Sequence, residues 1–345
     1  MSETMAEFDT RVISIDPATP DHTAILEAAT LIRSGQLVAF PTETVYGLGG
    51  DGLNPVALRR IYAVKGRPPD NPLILHVASP DQLPSVAVEV PEIAYILMRT
   101  FWPGPLTLIL PKTPRVPDLA TGRLTTVAVR MPNHPVALAL IRESGTPLAA
   151  PSANRSGRPS PTIAQHVLDD LHGAIPLILD GGPTAIGVES TVLDTTCTPP
   201  VLLRPGGVSQ GTIEVIIGRL GASADAALHR RSPGTRYRHY SPKARVLLVE
   251  NASLEALQQT VEVARGRHRR VGCLLHQLTL VDVPTGMVIR RIGGCVSDYA
   301  RSLFAALRDL DALGVDVIIV EGVSEEGLGA AVMDRLRRAA SPPES

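Results

Sequence analysis

Gln36-Leu-Val-Ala-Phe40-Pro-Thr-Glu-Thr-Val-Tyr-Gly-Leu-Gly-Gly-Asp-Gly52 is the stretch on which the reading of the fold turns. Its first five residues read as a buried strand. Gly35 just before them is a stop signal for a helix whose Ile25, Leu26, Ala29 and Ile32 recur at helical spacing. Its end carries Gly47, Gly49 and Gly52 in a G-x-G-x-x-G pattern, ahead of a helix over 55–64 with Asn54 as N-cap and Pro55 in the first turn. A dinucleotide fingerprint needs a tight turn straight after the strand and an acid closing the next strand. Here Pro41-Thr-Glu-Thr44 lengthens the turn, and Leu73-Ile-Leu-His-Val77 ends without an acid. The glycines are read as permitting tight turns, with a nicotinamide or flavin oxidoreductase as a competing class.

Working outward, strands are expected at 73–77, 106–110, 126–131, 147–150, 176–180, 190–195 and 201–204. Helices are expected at 92–102, 136–143, 161–171 and 210–219. Adjacent strands interleave with helices, which implies a mixed sheet rather than a strict βαβ repeat. The character changes over 221–243, where Ser232-Pro-Gly-Thr-Arg-Tyr-Arg-His-Tyr-Ser-Pro242 reads as a linker. Beyond it, strands at 245–250, 271–275, 288–292 and 316–320 alternate with helices at 253–265, 297–312 and 327–339. That is a small α/β domain of Rossmann-like layout. The expected division is 21–220, a linker over 221–243, and 244–340.

Composition narrows the function. A chain of 345 residues with 44% apolar content suits two soluble domains. Aromatics are 3%, too few for a surface that stacks bases. The 33 basic and 34 acidic residues leave a net charge of −1, unlike a dedicated nucleic-acid binder. Three cysteines without CxxC or zinc spacing point to a reduced compartment. No run approaches the ~18 apolar residues of a membrane span, and the N-terminus lacks a secretory h-region. A cytoplasmic location with no membrane partner is expected.

The motifs that carry chemistry are cationic. Lys65-Gly-Arg67-Pro-Pro places two cations at a helix end, suited to a triphosphate. No P-loop, G-x-S-x-G elbow or H-E-x-x-H motif occurs. Ser152-Ala-Asn154 follows a buried strand and offers small polar groups to a phosphate or ribose. Arg130 ends a strand, where its partner is either a substrate carboxylate or a structural ion pair. His76 interrupts an apolar strand, and Ser190 begins one. A site of cations and small hydroxyls suits adenylyl or phosphoryl transfer.

The order of these pieces carries more than any one of them. Phe40-Pro-Thr-Glu-Thr-Val-Tyr-Gly-Leu-Gly49, Lys65-Gly-Arg-Pro68 with Asn71-Pro-Leu73, Phe101-Trp-Pro-Gly-Pro-Leu-Thr107, Val129-Arg-Met-Pro132, Ala150-Pro-Ser-Ala-Asn154, Glu189-Ser-Thr-Val192 and Arg204-Pro-Gly206 resemble, in succession, the YrdC-like domain. The linker and the ending Gly327-Leu-Gly-Ala-Ala-Val-Met-Asp-Arg-Leu336 resemble the long form of the threonylcarbamoyl-AMP synthases. Thr235 stands where that linker often has an apolar residue, and Asp334 where Asn is expected.

The resemblance implies an α/β fold: an open, twisted mixed sheet with a large cavity, plus a Rossmann-like C-terminal domain. It implies a nucleotidyltransferase forming threonylcarbamoyl-AMP and pyrophosphate from L-threonine, bicarbonate or CO2, and ATP with Mg²⁺. A downstream threonylcarbamoyl transferase would pass the group to tRNA, with a tRNA contact by this chain also open. By motif, Lys65 and Arg67 would be catalytic and bind ATP together with Ser152, Asn154, Arg204, His239 and Tyr240. Thr42, His76, Arg130 and Ser190 would surround threonine. Tyr237, His239 and Tyr240 would form a lid. No side chain is identifiable as a metal ligand. The alternative is a non-catalytic RNA-binding module.

Overall fold

The computed structural model describes residues 8–222, 228, 230–234, 240–250, 253–268, 270–280 and 286–341. Strands β1 (Arg11–Ser14), β2 (Val38–Phe40), β3 (Gly47–Asp51), β4 (Ile74–His76), β5 (Leu106–Pro111), β6 (Thr126–Arg130), β7 (Leu148–Ala149), β8 (Leu177–Asp180), β9 (Thr191–Asp194) and β10 (Val201–Arg204) form one sheet. Its order is β1-β8-β2-β3-β7-β4-β6-β5-β9-β10. Parallel and antiparallel pairings mix within it, as the interleaved pattern implies.

The two-residue side-chain alternation of a strand divides the core. Val38 and Phe40, with Leu177 and Leu179, join one apolar cluster, while Ala39 and Ile178 join another. The first is covered by helices His22–Arg33 and Pro135–Ser144, whose Ile25, Ala28, Ile32, Val136 and Leu140 are buried. The second is covered by helices Pro55–Lys65, Glu92–Phe101 and Ala164–Leu171. With both faces covered, short strands read as continuous apolar runs.

Strands β11 (Arg245–Val249), β12 (Val271–Leu275), β13 (Val288–Arg291) and β14 (Val317–Glu321) form a second, wholly parallel sheet in the order β11-β14-β12-β13. Val317 and Ile319 face the helix Leu254–Arg267 side, while Ile318 and Val320 face helices Val296–Ala312 and Gly329–Ala340. At the end of β14 the Glu321 carboxylate accepts from the amides of His276, Gln277 and Leu278, which follow β12, at 2.7–3.1 Å. No helix of the described residues is long and apolar enough to cross a membrane.

Two sequence expectations change. Gly47, Gly49 and Gly50 do not make a turn: they lie in β3, antiparallel to β2, while Gly52, just past the strand, does sit in one. A Cβ on Gly49 would lie 2.7 Å from the Phe40 ring, and one on Gly50 2.9 Å from Leu37. Glycine is required there by close packing across the sheet. The helix expected from 161 begins instead at Ala164. The carbonyls of Pro161 and Thr162 accept from the amides of Tyr46 and Thr184, so that segment is committed to tertiary pairing.

The second domain enters the first through buried arginines. Arg308 donates to the Pro159 carbonyl and reaches both oxygens of Asp170, at 2.8 and 3.2 Å. Asp170 also pairs with Arg158 at 2.5 Å.

Candidate active site

Lys65 ends its helix at a cap, Gly66, whose φ of +60° favours glycine. The amine turns inward and donates to the carbonyls of Ser152 and Asn154, each at 2.5 Å. Arg67 donates to the Asn71 carbonyl at 3.1 Å, the Asn71 side-chain oxygen at 2.7 Å and the Pro72 carbonyl at 2.7 Å. Neither cation has a carboxylate partner among the described residues. Burial, reinforced by the neighbouring Arg67, holds the Lys65 amine well below its usual range. Burial likewise brings Arg67 down to about 10. A guanidinium buried among neutral oxygens, as Arg67 is, gains from any anion that reaches it.

Ser152 donates to the Asn154 side-chain oxygen at 2.6 Å, and the Asn154 amide donates to the carbonyls of Arg155 and Arg158. The loop is thus fixed from within, with Lys65 beneath it. Arg67, Ser152, Asn154 and Arg158 all line one cavity. Lys65 stands behind that wall.

On the other side, register sets His76 beside Arg130. Arg130 is 4% exposed and donates to Thr44 Oγ1 at 3.0 Å and the Gly104 carbonyl at 3.2 Å. Its Nη2 lies 2.7 Å from Glu43 Oε1. The carboxylate beside Arg130 is therefore one of the chain's own. Burial, then Arg130, pushes His76 down to about 3, so its ring is neutral. Its Nδ1 is buried without a hydrogen-bond partner among the described residues. Ser190 Oγ shares a hydrogen bond with Thr107 Oγ1 at 2.7 Å.

Thr42 does not line the cavity. Its hydroxyl donates to the Val45 carbonyl at 2.7 Å and closes a local turn. Thr44, two residues on, is the threonine that faces the cavity. Arg204 lines the wall, but it donates to the Ser190 carbonyl at 2.9 and 3.1 Å and to the linker carbonyl of Pro233 at 2.9 Å. Tyr240 closes the wall from the linker; Tyr237 and His239 lie outside the described residues.

The cavity gathers Arg67, Arg130, Arg158 and Arg204 against one carboxylate, Glu189. Its volume is about 60 Å³ with Pro233, Gly234 and Tyr240 in place, far below the ~300–1,000 Å³ of a small-molecule site. Glu189 accepts from Ser160 Oγ at 2.5 Å and from Arg335 Nε at 2.8 Å. Burial alone would raise its pKa; Arg335 and Arg204 outweigh burial and hold it below the usual range. Thr44, Arg158 and Glu189 were not singled out from the sequence, although Thr44 and Glu189 sit inside quoted motifs.

Comparison with known proteins fits this geometry. Residues 30–206 match the family described as "Telomere recombination", named for Sua5, YciO and YrdC. Residues 208–341 match "Threonylcarbamoyl-AMP synthase, C-terminal domain". The threonylcarbamoyl-AMP synthase of Pyrococcus abyssi is 51% identical, covering 90% of this chain and 92% of its own. That of Bacillus subtilis is 48% identical, covering 92% of each. The crystal structure of P. abyssi Sua5 complexed with L-threonine superposes with a TM-score of 0.89 at 48% identity, covering 96% of this chain and 97% of its own. E. coli YciO covers 57% of this chain and 96% of its own, at a TM-score of 0.52 and 27% identity. With its large mixed sheet, its arginine-walled cavity and its parallel C-terminal sheet, the chain belongs to the threonylcarbamoyl-AMP synthase family.

Proposed function

We propose that this chain is a nucleotidyltransferase that makes threonylcarbamoyl-AMP and pyrophosphate from L-threonine, bicarbonate or CO2, and ATP. The observation that carries the reading is the buried guanidinium of Arg67, held by neutral oxygens in the cavity wall, beside the Ser152-Ala-Asn154 loop that Lys65 fixes from behind. The relative solved with L-threonine supports the choice of amino acid.

In this reading the threonine amine attacks the carbon of CO2 and loses a proton, giving a carbamate. A carbamate oxygen then attacks the α-phosphorus, and the bond from that phosphorus to the pyrophosphate oxygen breaks. Arg67 meets the phosphates, and Lys65 fixes the Ser152–Asn154 loop that meets the nucleotide. Arg130, shared with Glu43, and the Thr44 hydroxyl receive the threonine carboxylate. Neutral His76 offers its free Nδ1 as an acceptor. Tyr240, with Pro233 and Gly234 of the linker, excludes water from the short-lived carbamate. Among the described residues no group of three or more His, Cys, Asp or Glu is placed to hold a metal. In this reading Mg²⁺ would come with ATP as Mg-ATP, supplying positive charge to the phosphates. The product is a mixed anhydride, fit to be consumed by a transferase acting on tRNA in the cytoplasm. An RNA-binding role fits poorly: Arg67, Arg130 and Arg204 are buried, out of reach of a polynucleotide backbone.

Pyrophosphate release, measured with threonine, bicarbonate and Mg-ATP and then with each omitted in turn, tests this. Release is expected only with all three. Equal release without threonine overturns the reading.

A further inference from the structure

Among the described residues Arg335 is the largest side chain buried completely, and the reaction above does not use it. It rises from the helix Gly329–Ala340 of the second domain and crosses into the first. Its Nε donates to Glu189 Oε2 at 2.8 Å and its Nη1 to the Pro205 carbonyl at 2.9 Å. Asp334 pairs with it at 2.7 Å. So anchored, its guanidinium carbon stands 5.5 Å from the centre of the Tyr240 ring. The same ring stacks on Phe304 with centroids 5.3 Å apart and planes at 24°. Phe304 and Arg335 both belong to the second domain; Tyr240 belongs to the linker and lines the cavity.

Tyr240 adopts a φ of +66°, a conformation that is sparsely populated away from glycine. Such a residue persists when its surroundings over-determine it. Here the surroundings are a cation and an aromatic face. A buried ion pair is weak evidence of stabilisation, because well-packed apolar groups serve the fold as well. What an apolar residue cannot do is bind a carboxylate and a carbonyl and still present a flat cation to a ring.

We propose that Arg335 is a positioning residue for the nucleotidyl transfer: fixed by Glu189 and Pro205, it forms with Phe304 the seat that holds Tyr240 in the nucleotide-facing wall. The second domain thereby takes part in ATP use. The proposal rests on the ATP-dependent reading of the cavity.

Wild type is compared with Arg335→Met, Arg335→Lys, Phe304→Leu and the exposed change Arg337→Met on the same helix. Melting curves are recorded, and pyrophosphate release is measured with ATP varied and then with threonine varied. For Arg335→Met, Arg335→Lys and Phe304→Leu, kcat/KM for ATP is expected to fall about tenfold or more at temperatures where they remain folded. KM for threonine is expected to move less than about threefold, and Arg337→Met to match wild type. In a Tyr240→Ala background, Arg335→Met is expected to add less than about twofold to the loss. Arg335→Met strands the Glu189 charge; if it does not fold, Phe304→Leu, which touches no charge, carries the test. Unchanged ATP kinetics in Arg335→Lys and Phe304→Leu, or losses that multiply fully with Tyr240→Ala, overturn the proposal alone. A wild type that releases no pyrophosphate overturns the catalytic reading instead, and the proposal with it.

Discussion

Arg67→Ala is expected to reduce pyrophosphate release by about two to three orders of magnitude, the scale seen when one preorganised charge-stabilising donor is removed from an enzyme site. The guanidinium lines the cavity, while Asn71 and Pro72 hold it from behind through neutral oxygens. No carboxylate among the described residues competes for it, so its charge is available to developing phosphate charge. The same contacts fasten the Asn71–Pro72 segment, so a destabilisation of about 1–3 kcal/mol accompanies the loss. Arg67→Lys should recover little, because a lysine cannot keep three acceptors and face the cavity too. Release and a melting curve on the same samples separate the two effects. An Arg67→Ala enzyme with wild-type release would remove the cationic basis of the proposed chemistry.

Gly206→Ala is expected to damage both stability and turnover. Gly206 is needed for proximity: an added Cβ would lie 2.2 Å from Ser190 C and Thr191 N and 2.5 Å from the Glu189 carbonyl. All three are backbone atoms, so the wall carrying Glu189 and Ser190 has to shift. Overpacking costs about 1–3 kcal/mol when side chains can adjust, and more when only backbone can yield. A loss near 3 kcal/mol corresponds to a melting point lower by about 6–12 °C in a domain of this size. Gly211→Ala, in the helix Gln210–Ile217 with nothing within 4 Å of the new Cβ, is the control. It should be neutral or stabilising by up to about 1 kcal/mol. Equal melting points for the two variants would show that Gly206 is not a packing constraint.

What was legible in the sequence was local. Asn54, Pro55 and Gly66 mark the ends of one helix by capping chemistry, which requires no knowledge of the rest of the chain. That same cap delivers Lys65 and Arg67 to their places. The apolar runs of the central strands were likewise readable, because strands covered on both faces are mostly apolar, with polar residues such as His76 and Arg130 marking the site. What was illegible depends on distant partners. The packing that demands Gly49 comes from a ring across the sheet. Whether Thr42 or Thr44 meets the cavity depends on a turn set by Val45 and on Arg130. A structural ion pair for Arg130 was one of two open readings, but its partner, Glu43, is set only when β6 lies in the finished sheet. Glu189 and Arg335, 146 residues apart, have no local signature at all.

In wound parallel sheets, the crevice beyond the strand tips is where phosphorylated compounds usually lodge. Here the amides that would meet such a compound, those of His276, Gln277 and Leu278, already donate to the Glu321 carboxylate, a negative charge set where a phosphate would sit. Calorimetric titration with Mg-ATP should saturate at a single equivalent per polypeptide, and a second equivalent would show that Glu321 gives way.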